Sequence, residues 1–273
     1  MGVKEALFRF LGQIQIVWRY RDFVKSTVLR DFQARYRNSV LGIAWTILNP
    51  MAMILIYTVI FSQVMQARLP NSQSSFAYSI FLMAGIIPWN LFADILARSP
   101  TIFIDNAHLI KKVSLPKLCF PLIVMGNSLL SFAIVFSLFL LVLLALGQFP
   151  GAVFLAFIPV LLLQLFLAFG IALCLAILNV FSRDIGQFFS IFLQFWFWLT
   201  PIVYSLQMIP AHVQWLWQCN PILPLIVAYQ GIFLQHQWPD WGSLVPVCIV
   251  ALVINALAVR LLTMHGSEMV DEL

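Results

Sequence analysis

Six stretches of this chain are apolar over enough residues to cross a lipid bilayer: about 41–63, 77–97, 118–146, 152–181, 187–206 and 243–263. A helical span needs about 20 such residues for roughly 30 Å of hydrocarbon. The third and fourth runs are longer, which predicts tilt or protrusion. Only Gly147-Gln148-Phe149-Pro150-Gly151 separates them, a tight turn. The pattern predicts an all-α membrane protein with six transmembrane helices.

Two further segments are apolar in a different way. Over 14–37, Ile14, Val17, Tyr20, Val24, Val28 and Phe32 fall broadly on one side of a helix, with Arg19, Asp22 and Arg30 elsewhere. A basic amphipathic helix of this kind lies in the headgroup plane; a solvated helix is the alternative. In the last connection, about 207–242, the run Ile222 to Leu234 is too short to span. It is bracketed by Asn220-Pro221 and by Trp215, Trp217, Trp238 and Trp241, residues that favour the membrane interface. That predicts an outer re-entrant or interfacial helical pair before the last span. A seventh span would place Glu268, Asp271 and Glu272 outside and put Arg260 on the wrong side.

Charge sets the orientation. Fourteen of fifteen Lys and Arg residues lie on one side of the predicted spans, and only Arg68 lies on the other. Eight precede the first span; Arg98, Lys111, Lys112 and Lys117 occupy the second connection, Arg183 the fourth, and Arg260 the end of the sixth run. Cations accumulate in cytoplasmic loops, so both termini are expected in the cytoplasm. A chain 62% hydrophobic and 9% charged is no ordinary soluble domain. Its pI near 9.2 reflects cations bordering apolar runs, not a patch for nucleic acid. No cleavable signal peptide is expected, because the N-terminal region is charged and amphipathic. Cys119, Cys174, Cys219 and Cys248 are scattered and the four His are isolated, so neither a disulfide framework nor a metal site is expected.

The chemistry of catalysis is missing. None of the twelve glycines precedes a lysine, so no phosphate-cradling loop of the Gly-x-x-x-x-Gly-Lys kind is present. Chains of intramembrane carboxylates, as used for proton coupling, are missing too. Asp94 lies near the inner end of its span, and Asp240 with His236 reads as an exposed contact. No internal repeat is evident, which disfavours a transporter of duplicated halves. No catalytic residue is assigned, and any energy for transport is expected from another chain.

Polar residues do line up within two spans. Asn49, Met53 and Tyr57 follow Thr46 at spacings of three to four in the first; Gln187, Ser190 and Gln194, continued by Trp198 and Pro201, do so in the fifth. Polar groups in hydrocarbon are costly unless they face protein or water. The stripes are therefore candidates for a conduit wall, with helix–helix hydrogen bonding in a dry bundle as the competing account. Most of the 25 Phe and nine Trp are expected to pack against lipid or neighbouring helices, as aromatics in spans normally do.

Three local patterns narrow the class. They are Asp31-Phe32-Gln33-Ala34-Arg35-Tyr36-Arg37-Asn38-Ser39-Val40-Leu41-Gly42-Ile43-Ala44-Trp45 running into Asn49-Pro50; Asn106-Ala107-His108-Leu109-Ile110-Lys111-Lys112-Val113-Ser114-Leu115-Pro116; and Arg183-Asp184-Ile185, followed by Phe197-Trp198-Leu199-Thr200-Pro201-Ile202-Val203-Tyr204. In this order, with six spans, the chain resembles the membrane subunit of the ABC-2 class of polysaccharide exporters, the O-antigen and teichoic-acid permease family. The resemblance covers essentially the whole length.

That resemblance implies a homodimer in the bacterial cytoplasmic (inner) membrane. Each protomer would dock one separate ATPase subunit, two copies in all. This chain would bind no cofactor, ATP and Mg belonging to the partner. The substrate would be a long glycan on polyprenyl pyrophosphate, with teichoic acid, capsule, drug or small lipid as alternative cargo. An integral membrane enzyme of envelope-glycan synthesis would need an acidic or His cluster at one face, and none is visible. The basic amphipathic helix, the Arg-Tyr-Arg approach to span one and the short outer loops favour the polysaccharide.

The implied organisation is an interface helix over 1–40, a six-helix domain over 41–264 and a cytoplasmic tail over 265–273. Arg30, Arg35, Tyr36 and Arg37 belong to the interface helix. A coupling helix at about 104–113 would use Asp105, Asn106, His108, Leu109, Ile110, Lys111, Lys112 and Val113 against the ATPase. Its residues read the same way: Leu109, Ile110 and Val113 make an exposed apolar knob flanked by Lys111 and Lys112, which marks a partner contact or a membrane-resting loop. Arg183 and Asp184 open the next inner connection, in either a coupling or an orienting role.

Overall fold

A computed structural model describes residues 19–36, 77–112, 115–204 and 219–273, with the single positions 44, 48, 52, 56, 215 and 217. Apart from those single positions the predicted first span lies outside this set, and with it Asn49, Met53 and Tyr57; so do Arg37, Val113 and the side chains of Arg35 and Tyr36. The described residues are helical, with no strand among them.

The described residues form ten helices in order: α1 (Arg21–Tyr36), α2 (Ala77–Arg98), α3 (Ile102–Asp105), α4 (Ala107–Lys112), α5 (Cys119–Ala145), α6 (Phe157–Phe181), α7 (Asp184–Trp198), α8 (Leu223–Gln230), α9 (Trp241–His265) and α10 (Glu268–Glu272). A 3-10 turn, Gly151–Ala156, leads into α6, and a π turn, Gly231–Gln235, follows α8. Among the described residues, four helical segments are long and apolar enough to cross a membrane: Ala77–Arg98, Cys119–Ala145, Gly151–Phe181 and Trp241–His265. They match the second, third, fourth and sixth predicted runs.

The fifth run behaves differently. α7 has 15 residues, about 22 Å of helix, and stops before the predicted end at 206. Pro201 lacks the N–H that would continue the ladder, and Thr200 turns back to donate from Oγ1 to the Trp196 carbonyl at 2.8 Å. The predicted single helix over 104–113 is likewise two short ones. Asn106 breaks it by donating from Nδ2 to the Ile102 carbonyl at 2.9 Å, a local bond that competes with helix continuation.

α2 is the central post. Its most apolar window is 78% buried, against 28% for α5, so α2 is surrounded by protein and α5 exposes much of its surface. α5, α6, α7 and α8 all pack on α2. Without water to drive them together, such helices associate by close packing and buried hydrogen bonds. Gln164 of α6 donates from Nε2 to the carbonyl of Pro88 within α2 at 2.8 Å. Where α6 crosses α9, Asn255 Nδ2 donates to the Phe166 and Ala251 carbonyls, both at 2.8 Å. A Cβ at Gly170 would come within 2.7 Å of that nitrogen, so this crossing requires glycine.

α1 lies on α5. Val28 is buried there, and Tyr20, Phe23, Val24, Asp31 and Phe32 are half-buried. Of these, Tyr20, Val24, Val28 and Phe32 belong to the predicted apolar face, and here α5 packs against it. Gly126 leaves the space: a Cβ there would meet Val28 Cγ2 at 2.8 Å. Arg19, Lys25 and Arg30 point away from the contact and are exposed.

Candidate functional site

The end of the bundle that carries the cations is assembled from five elements. The C-termini of α2, α6 and α9 meet the N-termini of α5 and α7, held by bonds between their connections. Asn179 Nδ2 donates to the Pro100 carbonyl at 2.9 Å while its Oδ1 accepts from the Gly186 N–H at 2.8 Å. Lys117 Nζ donates to the Gly266 carbonyl, and burial pushes its amine below the usual lysine range. Phe181 meets His265 edge to face, 5.9 Å between ring centres. Arg98, Lys111, Lys112, Lys117, Arg183 and Arg260 thus gather at one end, although 162 residues separate the first from the last.

Asp94 is tied into this end by two bonds. Its carboxylate accepts Arg98 Nε at 2.7 Å and Ser128 Oγ at 2.6 Å. The adjacent Asn127 reaches α1, with Nδ2 at 3.3 Å from Asp31 Oδ2. One turn of α5 therefore holds both α1 and α2. Sequence spacing had isolated Asp94 and gave no sign of Asn127.

The connection between α2 and α5 is anchored by Phe103, fully buried against Phe120 with ring centres 6.2 Å apart. Leu109 and Ile110 are half-buried and pack on the same apolar cluster. This corrects the expectation of an exposed apolar knob: the protein's own core covers much of it. His108, Lys111 and Lys112 form the outward face of α4, Asp105 is exposed beside it, and Asn106 is half-buried. Arg183 and Asp184 are both exposed at the start of α7, and among the described residues no ion pair joins them. Asp184 sits in the first turn, where the helix dipole favours a carboxylate.

Gln187, Ser190, Gln194 and Trp198 are all exposed on α7, and the helical period sets them on one side. Phe188 at 69%, Phe195 at 65% and Trp198 at 64% exposure flank or continue that side. The opposite side buries Leu193 and Trp196. The Trp196 ring packs edge-on against Trp89 and Phe92 of α2, at 6.3 and 5.3 Å. The structure thus gathers the four predicted α7 residues; their predicted partners on the first span lie outside the described residues.

The far end of α7 is locked by polar residues that sequence reasoning missed. Asn220 Oδ1 accepts from Trp196 Nε1 at 2.8 Å, and its Nδ2 donates to Thr200 Oγ1 at 2.9 Å. Gln230 Nε2 donates to the Pro201 carbonyl at 3.2 Å, and Tyr78 donates its hydroxyl to the Val203 carbonyl at 2.6 Å. Nearby, Phe136 and Phe157 stack at 4.4 Å, with Phe233 edge-on at 5.8 Å. His236, in the left-handed region at φ 53°, places its Nε2 3.2 Å from the Gln148 carbonyl and ties the 147–151 turn to the segment after α8. Asn220-Pro221 was visible as the bracket of a short apolar run; that Asn220 ties it to Thr200, where the fifth run stops, was not.

Among the described residues no group of three or more His, Cys, Asp or Glu is placed to hold a metal ion. The site is a pair of surfaces: a polar and basic end, and a polar-aromatic stripe.

Comparison with known proteins adds a family. Residues 23–234 match the family described as ABC-2 type transporter. The chain is 32% identical over 243 residues, 88% of its length and 91% of the relative's, to an O-antigen export system permease protein of Myxococcus xanthus. It is 34% identical to a protein of that name from Klebsiella pneumoniae over 207 residues, 76% of this chain and 78% of the relative. A shorter match, 34% over 76 residues and 28% of each chain, is to a polysialic acid transport protein of Escherichia coli.

Proposed function

This chain belongs to the ABC-2 type transporter family, and from that premise we propose that it is the membrane half of an ATP-driven exporter of a lipid-linked polysaccharide. The cargo is an O-antigen-like glycan on polyprenyl pyrophosphate. The chain is a multi-pass protein of the inner membrane and a transport subunit. The observation that carries the reading is the near end-to-end match to proteins named for O-antigen export. The shorter likeness to a polysialic acid transporter supports a polysaccharide more than a drug or small lipid.

The finer reading has six spans, both termini cytoplasmic and outer re-entrant helices around 207–242. It places the gathered basic end in the cytoplasm, because cations accumulate there. The permease works as a homodimer, which doubles a wall too thin for a sugar chain, and two ATPase copies dock on the basic end. Residues 104–113 receive the ATPase. Gln187, Ser190, Gln194 and Trp198 face the glycan path together with Asn49, Met53 and Tyr57, and the exposure of the α7 four supports this. Arg30, Arg35, Tyr36 and Arg37 lead from the interface helix into the first span.

Impermeant thiol labelling tests the orientation. Cys219 and Cys248 are exposed, so the four native cysteines are first replaced. Single cysteines at Asn71, Gln148 and Gln237 are expected to label from outside intact cells, and those at Lys111 and Arg183 only after permeabilisation. External labelling at position 183 would break the six-span arrangement.

A further inference from the structure

The segment after the last span is expected from sequence to be a plain tail, yet it closes onto the protein. Met269 of α10 is fully buried. It shares an apolar cluster with Phe103, Phe120 and Leu262, and Leu109 and Ile110 of α4 pack against that cluster. α10 touches both α4 and α6. Polar contacts fix how it approaches: Lys117 holds the Gly266 carbonyl, and His265 Nδ1 lies 2.7 Å from Glu268 Oε2.

α4 has only six residues. A helix that short is not stable by itself in water, so its orientation depends on what it rests on. Its apolar side rests on the cluster that Met269 completes, and its polar side faces outward. We propose that α10 braces the coupling loop: Met269 seats α4, so that a push on α4 reaches α6 and α9 instead of being lost as loop movement. Lys117 positions the brace through the Gly266 carbonyl. This rests on the reading of 104–113 as the ATPase contact.

The test uses the full permease with its ATPase subunit in proteoliposomes, and reads glycan exported per ATP hydrolysed. Met269→Asp is expected to keep membrane-inserted permease and bound ATPase subunit, and to lower that ratio at least about five-fold, the lower end of measured site-to-site couplings. Met269→Leu is expected to restore most of it, because a volume-conserving apolar swap keeps the seat. Should Met269→Asp fail to accumulate, Lys117→Met, which removes the donor to Gly266, carries the same expectation. An unchanged ratio in the variant that accumulates overturns the brace, as does a loss of export that only follows reduced permease. Ile110→Asp separates the two ideas. If it lowers the ratio while Met269→Asp and Lys117→Met do not, the coupling loop stands without the brace. If it leaves export, ATPase stimulation and the ratio all unchanged, the coupling reading falls and the brace with it.

Discussion

Ile110→Asp is expected to remove most export, about tenfold or more, while the permease still inserts into the membrane. Ile110 packs on the cluster of Phe103, Phe120 and Met269, so a carboxylate there must be desolvated or must turn outward. Desolvating an unpaired ion costs several kcal/mol, and tenfold in rate needs only about 1.4 kcal/mol. The charge is therefore expected to swing outward and take α4 with it, displacing Lys111 and Lys112 from the face proposed to meet the ATPase. Ile110→Val removes a single methylene, at about 0.5–1.5 kcal/mol, and should export nearly normally. The measurements are surface glycan normalised to inserted permease, and stimulation of the partner's ATPase. Normal values of both in Ile110→Asp would remove 104–113 from energy coupling.

Trp198→Ala is the second large expected effect, and the structure sharpens it. At 64% exposure, Trp198 has little packing to lose within one protomer. Among the described residues its ring meets Phe197 edge-on at 5.4 Å. The Tyr204 hydroxyl bonds to the Trp198 carbonyl at 2.6 Å, a backbone contact that survives substitution. The cost of about 3–5 kcal/mol for truncating a buried tryptophan therefore does not apply. Taking the worth of an aromatic pair, about 1 kcal/mol, for a ring stacked on a passing sugar gives roughly five-fold in rate. Trp198→Ala should thus keep its membrane level and lose about that much export per molecule, and Trp198→Phe should keep most of it. Constant export per inserted molecule in Trp198→Ala would take the ring out of the glycan path.

How much of this was legible in the sequence depended on what ended each element. The runs that became α2, α5, α6 and α9 end at charges or at the 147–151 turn, so their limits were readable to within a few residues. The fifth run was not, because its apolar residues continue through Thr200-Pro201 after the helix has stopped. Side-chain cover was less legible still. Leu109 and Ile110 looked exposed because they sit in a short loop between spans; Met269, which helps to cover them, lies some 160 residues further on. Hydropathy also made α2 and α5 look alike, and tertiary contacts alone decide which of two apolar helices becomes the central post. The α7 stripe was readable because period and polarity agreed within one helix. Asn220 was not, since its partners Trp196, Leu199 and Thr200 belong to another element.

The central claim is that this chain, driven by a separate ATPase, moves a lipid-linked glycan across the inner membrane. Its most direct test is reconstitution of the permease with the ATPase subunit in proteoliposomes carrying a labelled polyprenyl-pyrophosphate glycan. The measurement is the change in the glycan's accessibility to an externally added glycosidase. The account predicts a change only when permease, ATPase subunit and hydrolysable ATP are all present. Equal movement by the permease alone without ATP, or no movement with all three together, would contradict it.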